Sequence, residues 1–166
     1  MASSRSAVIH EEASARVAAP IDAVWAQIST LERVLAHVSE ASDVVLEADG
    51  RVRFRARLRW GPFGYALAGV GVITEMRAPA ELRCELRMPA AGATVVDRFE
   101  LTEVSGSETS LRVVVDAQLG QLARRISGVA VDAVEVHARR LAANAAGRAE
   151  RHWQAEQRLR NRKAEP

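Results

Sequence analysis

The segment from Arg51 to Ile73 constrains the fold of this chain more than any other. Residues 51–60 alternate arginine with apolar residues without a break. Because successive side chains of a β-strand point to opposite faces, this pattern predicts an antiparallel strand with an apolar inner face and a solvated outer face. Residues 61–64, Gly-Pro-Phe-Gly, then predict a four-residue hairpin loop, after which a second strand runs back to Ile73.

The length of this loop sets the pairing expected across the hairpin. On the inner face, the predicted pairs are Trp60 with Tyr65, Leu58 with Leu67, Ala56 with Gly69, and Phe54 with Gly71. Each inner-face glycine removes a side chain that would otherwise pack against the core. Gly69 and Gly71 therefore indicate either a bend or a close helix contact, or the wall of a ligand cavity.

Alternation recurs in five other segments, and together they predict a seven-stranded antiparallel sheet. The other predicted strands are residues 8–17, 42–47, 81–88, 93–103 and 109–119. Residues 48–50 predict a three-residue hairpin in which Gly50 adopts the left-handed conformation. The resulting cross-strand pairs are Val44 with Phe54 and Leu46 with Val52 inside, and Glu47 with Arg51 and Asp43 with Arg55 outside.

An arginine stripe, residues 51, 53, 55, 57 and 59, occupies the outer face of this hairpin. Its pairing with Glu47 and Asp43 is typical of a solvated sheet face. The alternative, a phosphate-binding surface, is disfavoured because these carboxylates dilute the positive field that nucleic acid requires. We therefore predict no nucleic-acid partner.

Three segments have helical spacing of their apolar residues. Residues 20–29 and 31–37 predict two short helices, and from Gly120 onward an apolar stripe predicts one long helix on the sheet. The stripe residues are Leu122, Ile126, Ala130, Ala133, His137, Leu141 and Ala145. The element order predicts the α+β helix-grip fold, in which the sheet wraps around the long C-terminal helix and two short helices lie between strands one and two.

Size and charge predict the domain organisation. A chain of 166 residues, 48% of them hydrophobic, fits one domain. We expect a flexible N-terminus over residues 1–7, the helix-grip domain over 8–146, and a basic, partly helical C-terminal tail over 147–166. From Arg139 to the end, eight Lys and Arg oppose three Glu, a net charge of +5. Such a tail is commonly solvated, and the alternatives are a contact with anionic lipid at a membrane surface, with nucleic acid or with an acidic partner such as a partner enzyme.

Several classes of site are excluded by the residues present. Cys84 is the only cysteine, which excludes an internal disulfide and a cysteine-rich metal site. The four histidines lack metal-ligand spacing and no glycine-rich phosphate loop occurs, so we predict no metal and no cofactor. No segment has the length of a signal peptide or a membrane span. We expect a cytoplasmic protein, at most peripheral to the inner face of the membrane.

Two groups of motifs resemble known families. Residues 17–25, Val-Ala-Ala-Pro-Ile-Asp-Ala-Val-Trp, resemble the strand-to-helix entry of the START, polyketide-cyclase and Bet v 1-like superfamily. Gly61-Pro62 with Gly69, followed by residues 116–126, resembles the CoxG family of carbon monoxide dehydrogenase accessory proteins. That resemblance implies a non-catalytic carrier of a hydrophobic, lipid- or quinone-like molecule that serves a molybdenum hydroxylase. Where this family shows polar residues, the chain has an apolar outer strip, a candidate homodimer contact, at Ala66, Ala68, Val70 and Val72.

Residues on the predicted inner face of the sheet and on the apolar stripe of the long helix are expected to line one space between sheet and helix. Since alternate strands of a meander end on the same side, we expect the mouth of this space beside the loops at 61–64 and 89–92. The predicted ligand-binding residues are Phe54, Leu58, Trp60, Phe63, Tyr65, Leu67, Leu86, Met88, Asp97, Phe99, Ile126, Ala133 and His137. For the aromatic residues at the loop, ordinary core packing is the alternative.

An enzyme of the polyketide cyclase/dehydratase type is the alternative function. Tyr65, Asp97 and His137 could converge in the cavity as acid–base residues. Each polar residue also has a structural interpretation, since a buried Asp is commonly hydrogen-bonded and a His on an apolar stripe is commonly a satisfied core residue. No Ser or Cys nucleophile has an adjacent base in the sequence, so we expect binding rather than catalysis.

Overall fold

A computed structural model describes the backbone of residues 8–60, 63–120 and 127–164. Side chains are described in these ranges except at residues 58–60, 63–65, 127–130 and 164. In chain order the elements are β1 (Val8–Val17), α1 (Ile21–Ile28), α2 (Leu31–Leu35), β2 (Ala41–Leu46), β3 (Val52–Trp60), β4 (Phe63–Arg77), β5 (Glu81–Met88), β6 (Ala93–Ser105), β7 (Glu108–Gln118) and α3 (Ser127–Ala164). A 3-10 turn, Pro89–Ala91, links β5 to β6.

The strands of the described residues form one antiparallel sheet of seven strands, in the order β1-β7-β6-β5-β4-β3-β2. The short helices α1 and α2 follow β1, and α3 packs against β1, β7 and α1. The predicted helix-grip fold is therefore confirmed. β1 and β5 have the predicted bounds, and the other strands differ from them only near their ends or at their loops.

Both short helices begin where local groups satisfy their first N–H donors. The carbonyl of Pro20 accepts hydrogen bonds from the N–H groups of Ala23 and Val24 at 3.0 and 3.2 Å. Thr30 caps α2, since its hydroxyl oxygen accepts from the N–H of Arg33 at 3.4 Å. α2 ends at Leu35, two residues before the predicted end.

The β3–β4 hairpin differs from its predicted register. Trp60 pairs with Phe63, so the predicted four-residue loop is wrong, and Phe54 pairs with Gly69 instead of Gly71. The shift is two residues, which changes every pair but returns each side chain to the same face of the sheet. Phe54 therefore faces the core as its parity predicts.

Neighbouring side chains fill the space beside the inner-face glycines. A Cβ atom at Gly69 would overlap the aromatic ring of Phe54. At Gly71, a Cβ atom would lie 2.7 Å from Leu31 of α2 and 2.8 Å from Leu86. Carbon atoms approach no closer than about 3.5 Å without repulsion, so only glycine permits these contacts. Of the two interpretations of these glycines, close packing describes this part of the sheet.

A bulge in β2 changes part of its predicted register on β3. Leu46 pairs with Val52 as predicted, but the register shifts between Leu46 and the start of β2. Asp43 lies at the bulge with φ of 52°, in the left-handed region that few residues other than glycine adopt. Between the pairs Ser42–Arg55 and Val45–Arg53, Asp43 and Val44 lie together opposite Phe54, so a two-to-one bulge replaces the simple pair predicted for Val44 and Phe54.

The arginine stripe is paired with carboxylates on the outer face. Among the described side chains, the contacts are Arg51 with Asp49, Arg53 with Glu47 and Arg55 with Asp43. The proximity of Asp43 and Arg55 was predicted. Glu47 also lies opposite Arg51 as predicted, since its N–H donates to the carbonyl of Arg51 at 2.8 Å, but its carboxylate contacts Arg53. Gly50 has φ of 82°, as the predicted three-residue hairpin requires. These exposed pairs fit a solvated sheet face.

Helix α3 runs through Gly147 to Ala164, so the predicted tail is helical as far as Ala164. Its buried stripe consists of Val134, Ala138, Leu141, Ala142, Ala145, Ala146 and Ala149. This stripe includes the predicted Leu141 and Ala145 but is rotated away from Ala133, which is exposed. The prediction that Ala133 faces the sheet is wrong, because the larger Val134 occupies the buried position in that turn.

Small residues let α3 approach the sheet closely, since alanine dominates its buried stripe. Near its end, Trp153 packs against the core and is covered by the guanidinium of Arg160, 5.7 Å from the ring centroid. At 38 residues, α3 is about 57 Å long. None of the helices in the described ranges is both long and apolar enough to cross a membrane.

We predict that Gly71→Ala destabilises the fold by about 1 to 3 kcal/mol, because the added methyl group would overlap Leu31 and Leu86. Gly106→Ala is the matched control, since a Cβ atom there meets nothing within 4 Å. Urea unfolding of both variants measures the difference. Equal stability of the two would show that Leu31 and Leu86 move aside without cost.

Candidate functional site

Asp97 is a fully buried carboxylate on the inner face of β6. It lies opposite Cys84 of β5 and Val115 of β7. Val95 and Phe99 share its parity on β6, so its surroundings within the sheet are apolar. A buried charge without a partner costs on the order of several kcal/mol. The carboxylate therefore requires a partner from outside the sheet.

His137 of α3 is that partner. Its Nε2 lies 3.2 Å from Oδ1 and 3.4 Å from Oδ2 of Asp97. Since an ionised carboxylate only accepts hydrogen bonds, the Nε2–H of the imidazole donates to it. The side chain of His137 is 22% exposed, whereas that of Asp97 is 0% exposed. Asp97 is thus sealed from solvent, and part of the imidazole remains accessible.

Two opposing effects act on the pKa of His137. Burial lowers it because the imidazolium loses solvation, whereas the carboxylates of Asp97 and Glu40 raise it. The carboxylates prevail, and the pKa lies above the usual value of 6.5. Folding therefore favours the protonated imidazole, which neutralises the charge of Asp97.

Cys84, the neighbour of Asp97 on β5, is fully buried. Burial raises the pKa of its thiol well above the usual value of 9.0, and the charge of Asp97 raises it further. A hydrogen bond from the backbone of Asp97 opposes these effects only in part. Because the thiolate is the nucleophilic form, Cys84 packs as a small apolar residue and is not a candidate nucleophile.

Polar contacts hold residues 37–40, between α2 and β2, to α3. Arg140 contacts Glu40 and donates to the hydroxyl oxygen of Ser39 at 3.3 Å. Asn144 donates from Nδ2 to the carbonyl of His37 at 2.8 Å. His137, Arg140 and Asn144 follow one another at intervals of three and four residues, so they share one face of α3. That face joins the buried pair to the turn after α2.

His37 is buried at the same junction. Its Nε2 donates to the carbonyl oxygen of Gln27 at 3.0 Å, and its Nδ1 is buried without a hydrogen-bond partner in the described residues. Burial lowers the pKa of His37 despite the hydrogen bond to Gln27, and the charge of Arg148 lowers it further. A neutral imidazole suits this environment, and it links the residues after α2 to α1 through Gln27.

The structure separates the predicted ligand-binding residues into groups. Buried in the core are Phe54, Leu86, Phe99 and Asp97. Partly exposed are Leu67, Met88 and His137. Exposed, and facing away from the sheet, is Ala133. Outside the described side chains are Leu58, Trp60, Phe63, Tyr65 and Ile126. Of the predicted acid–base residues, the structure brings Asp97 and His137 together.

Two further inner-face residues are missing from the predicted set. Val95 is partly exposed and shares the parity of Asp97. Glu11 pairs with Val115, which pairs with Asp97, so Glu11 lies two strands from Asp97, about 10 Å at the usual strand spacing. Alternation along the strand was the sequence signal that could have placed both residues on the inner face. For β1 it was ambiguous, because Glu11 is followed by Glu12 and the sequence does not show which of the two acids faces inward.

The described residues bring together no group of three or more His, Cys, Asp or Glu side chains that could hold a metal ion. A separate open groove of about 310 Å³ is lined by Arg16, Ala18, Ser107, Glu108 and Glu150. Its charged groups are paired within it, since Glu150 accepts from the N–H of Ala18 at 2.9 Å and Arg16 contacts Glu108 at 2.7 Å. The Asp97–His137 pair is therefore the stronger candidate site.

We predict that Asp97→Asn lowers the pKa of His137, because only Glu40 would then oppose the effect of burial. NMR titration of the imidazole protons measures this change. Asp116→Asn is the matched control, since Asp116 contacts His10 at 2.7 Å in an exposed pair. The control should lower the pKa of His10 and leave that of His137 unchanged. A His137 pKa that is the same in Asp97→Asn would contradict the pairing.

The raised pKa of His137 also predicts a pH dependence of stability. Its folded pKa exceeds the unfolded value near 6.5, so the pair contributes its full stability below that pH and loses it as pH rises through the folded pKa. His137→Gln should therefore show a smaller fall in Tm than the natural chain when pH is raised from about 6 to about 9. Identical pH profiles of Tm would exclude this contribution.

Neither protein-family models nor curated proteins match this chain, but many solved structures do. An aromatase/cyclase from Streptomyces sp. R1128 matches with a TM-score of 0.60 and 17% identity, over 87% of this chain and 95% of that one. A START superfamily protein from Mycobacterium smegmatis matches at 0.58 and 15%, over 86% and 97%. Norcoclaurine synthase from Thalictrum flavum matches at 0.59 and 10%, over 86% of each chain. At these identities the likeness shows the fold alone, and that fold is the one shared by START and Bet v 1-like proteins.

Proposed function

We propose that this protein binds a hydrophobic small molecule on the inner face of its sheet and carries it without chemical change. The observation that supports this proposal is the Asp97–His137 pair, set among mostly apolar residues of the inner face. Small-molecule sites are typically apolar and contain a few polar groups that orient the ligand. Leu67, Met88 and Val95 are among the apolar inner-face residues with partial exposure.

The free-energy cost of burying the Asp97–His137 pair is a further argument for a role in binding. Removing two ionisable groups from water often costs more than their attraction recovers, so apolar replacements of such pairs are commonly neutral or stabilising. Ionisable groups with shifted pKa values are concentrated at functional sites. His137, the member of the pair that keeps some exposure, is the group that would contact the polar end of a ligand.

The partner is proposed from the sequence motifs. Gly61-Pro62, Gly69 and residues 116–126 resemble the CoxG family of carbon monoxide dehydrogenase accessory proteins, so we propose that the carried molecule serves a molybdenum hydroxylase of that type. A tagged copy of the protein should then retain such a hydroxylase during affinity purification. Failure to do so, with a ligand still bound, would remove this partner and leave the carrier function.

A second candidate function is acid–base catalysis of the polyketide cyclase/dehydratase type. It is favoured by the contact of Asp97 with His137, since the carboxylate orients the imidazole and supports its protonated form. His137 would then donate a proton to a substrate carbonyl oxygen or accept one from an adjacent carbon. Turnover of a polyketide-like substrate, abolished by Asp97→Asn and retained in Asp116→Asn, would establish this function in place of the carrier.

We predict that organic extraction of the purified protein, followed by mass spectrometry, releases a hydrophobic compound in an amount close to one per chain. The control is the same extraction of Met88→Trp, in which the larger side chain occupies a partly exposed inner-face position. The compound should be depleted from that variant. Its absence from both proteins would contradict a tightly bound natural ligand.

Titration with an apolar fluorescent probe tests the position of the site. We predict that Met88→Trp weakens probe binding about tenfold or more, because it obstructs the inner face, at a loss of about 1.4 kcal/mol of binding free energy. Val45→Trp is the matched control, since Val45 is 49% exposed on the edge strand β2 and pairs with the outward Arg53. Equal weakening in both variants, or in neither, would place the probe elsewhere.

A further inference from the structure

We propose that the ligand of this site is uncharged: an apolar molecule whose polar end is a hydroxyl or carbonyl group, and not a carboxylate, a phosphate or an ammonium. This inference rests on the proposed binding function and deepens it by naming the class of ligand. It follows from the charges of the inner face and from the way in which those charges are already paired.

The first step concerns the buried pair itself. Both carboxylate oxygens of Asp97 lie within 3.4 Å of the same nitrogen of His137. The carboxylate has no solvent exposure, so an ammonium group could reach it only by displacing the imidazole. The imidazolium, for its part, already has a counter-ion. Neither member of the pair is left to neutralise a charged ligand.

The second step concerns the other charged groups near the site. Glu40 and Arg140 contact each other where residues 37–40 meet α3, so this pair adds no net charge. Glu11 adds a further negative charge to the inner face, in the same cross-strand row as Asp97. The described groups around the site therefore have no excess of positive charge with which to attract an anion.

The third step is the cost of bringing a charged group to such a place. A carboxylate or ammonium that leaves water without a partner is far more costly than a hydroxyl or carbonyl group that makes one hydrogen bond. Glu11 is a weak counter-ion for an ammonium, because it is only partly buried and ion pairs open to solvent contribute little. An uncharged polar end can instead bond to the accessible part of His137 without disturbing Asp97.

Competition between three probes with the same 12-carbon chain tests this proposal. Dodecan-1-ol, dodecanoate and dodecylammonium are each used to displace an apolar fluorescent probe from the full chain at about pH 7.5, below their micelle concentrations. We expect the alcohol to bind at least about tenfold more tightly than either charged molecule, the difference that one unpaired charge readily produces. Dodecanoate or dodecylammonium binding as tightly as the alcohol would overturn the proposal.

Two variants test the reason for the preference. Glu11→Gln removes the inward carboxylate, and it should narrow the gap between dodecanoate and the alcohol. Its control is Glu12→Gln on the same strand, since Glu12 contacts Arg112 on the outer face. Asp97→Asn lowers the pKa of His137, so both charges of the pair are lost together and the alcohol should still bind at least about tenfold more tightly than dodecanoate. Asp116→Asn should leave that ratio unchanged.

The outcomes separate this inference from the function on which it rests. If no 12-carbon molecule displaces the probe and extraction yields no ligand, the binding function itself is wrong. If the molecules bind but dodecanoate is preferred, binding stands and the uncharged class is wrong. Should Asp97→Asn fail to fold, Glu11→Gln still decides, because Glu11 is only partly buried. An unchanged ratio in Glu11→Gln would overturn the charge argument.

Discussion

Among the described residues, one buried charge pair joins the sheet to the long helix of this protein. Asp97 has no polar neighbour of its own parity in β6, so its charge is tolerated only because His137 of α3 donates to it. Alanine makes up most of the interface between α3 and the sheet, and a row of methyl groups specifies helix position poorly. We infer that the pair fixes the rotation and the axial position of α3, as buried polar groups do in some other proteins.

Helices α3 and α2 cover different parts of the inner face of the sheet, and the Asp97–His137 pair lies between these parts. α3 packs on β1 and β7, while Leu31 of α2 fills the space above Gly71 on β4. Asp97 on β6 and Cys84 on β5 occupy the strands between those two contacts. At this place the side chain of His137 keeps 22% exposure. The candidate site thus lies between the part of the sheet covered by α3 and the part covered by α2.

Contacts of Arg140 with Glu40 and of Asn144 with His37 tie α2 to the same face of α3. The polar groups of this protein therefore act together along one face of the helix, and the charge state of His137 depends on Glu40 as well as on Asp97. Any ligand that reaches the pair must be compatible with charges that are already balanced. In such a site, specificity comes more from the free-energy cost of adding an unpaired ligand charge than from attraction between the ligand and a charged side chain.

The sequence by itself determined which face each strand residue occupies and the order of the elements. Alternation depends only on near neighbours in the chain, so it predicted Phe54 and Asp97 as inward residues and the arginines of β3 as outward ones. Tertiary structure alone decided the register of β3 on β4, because a shift of two residues leaves the alternation unchanged. It also decided the rotation of α3, which exposes Ala133 and brings His137 within 3.2 Å of a carboxylate 40 residues away. Contacts between elements that are distant in the chain determine both the register of β3 on β4 and the rotation of α3. The local periodicity of the sequence does not reveal such contacts.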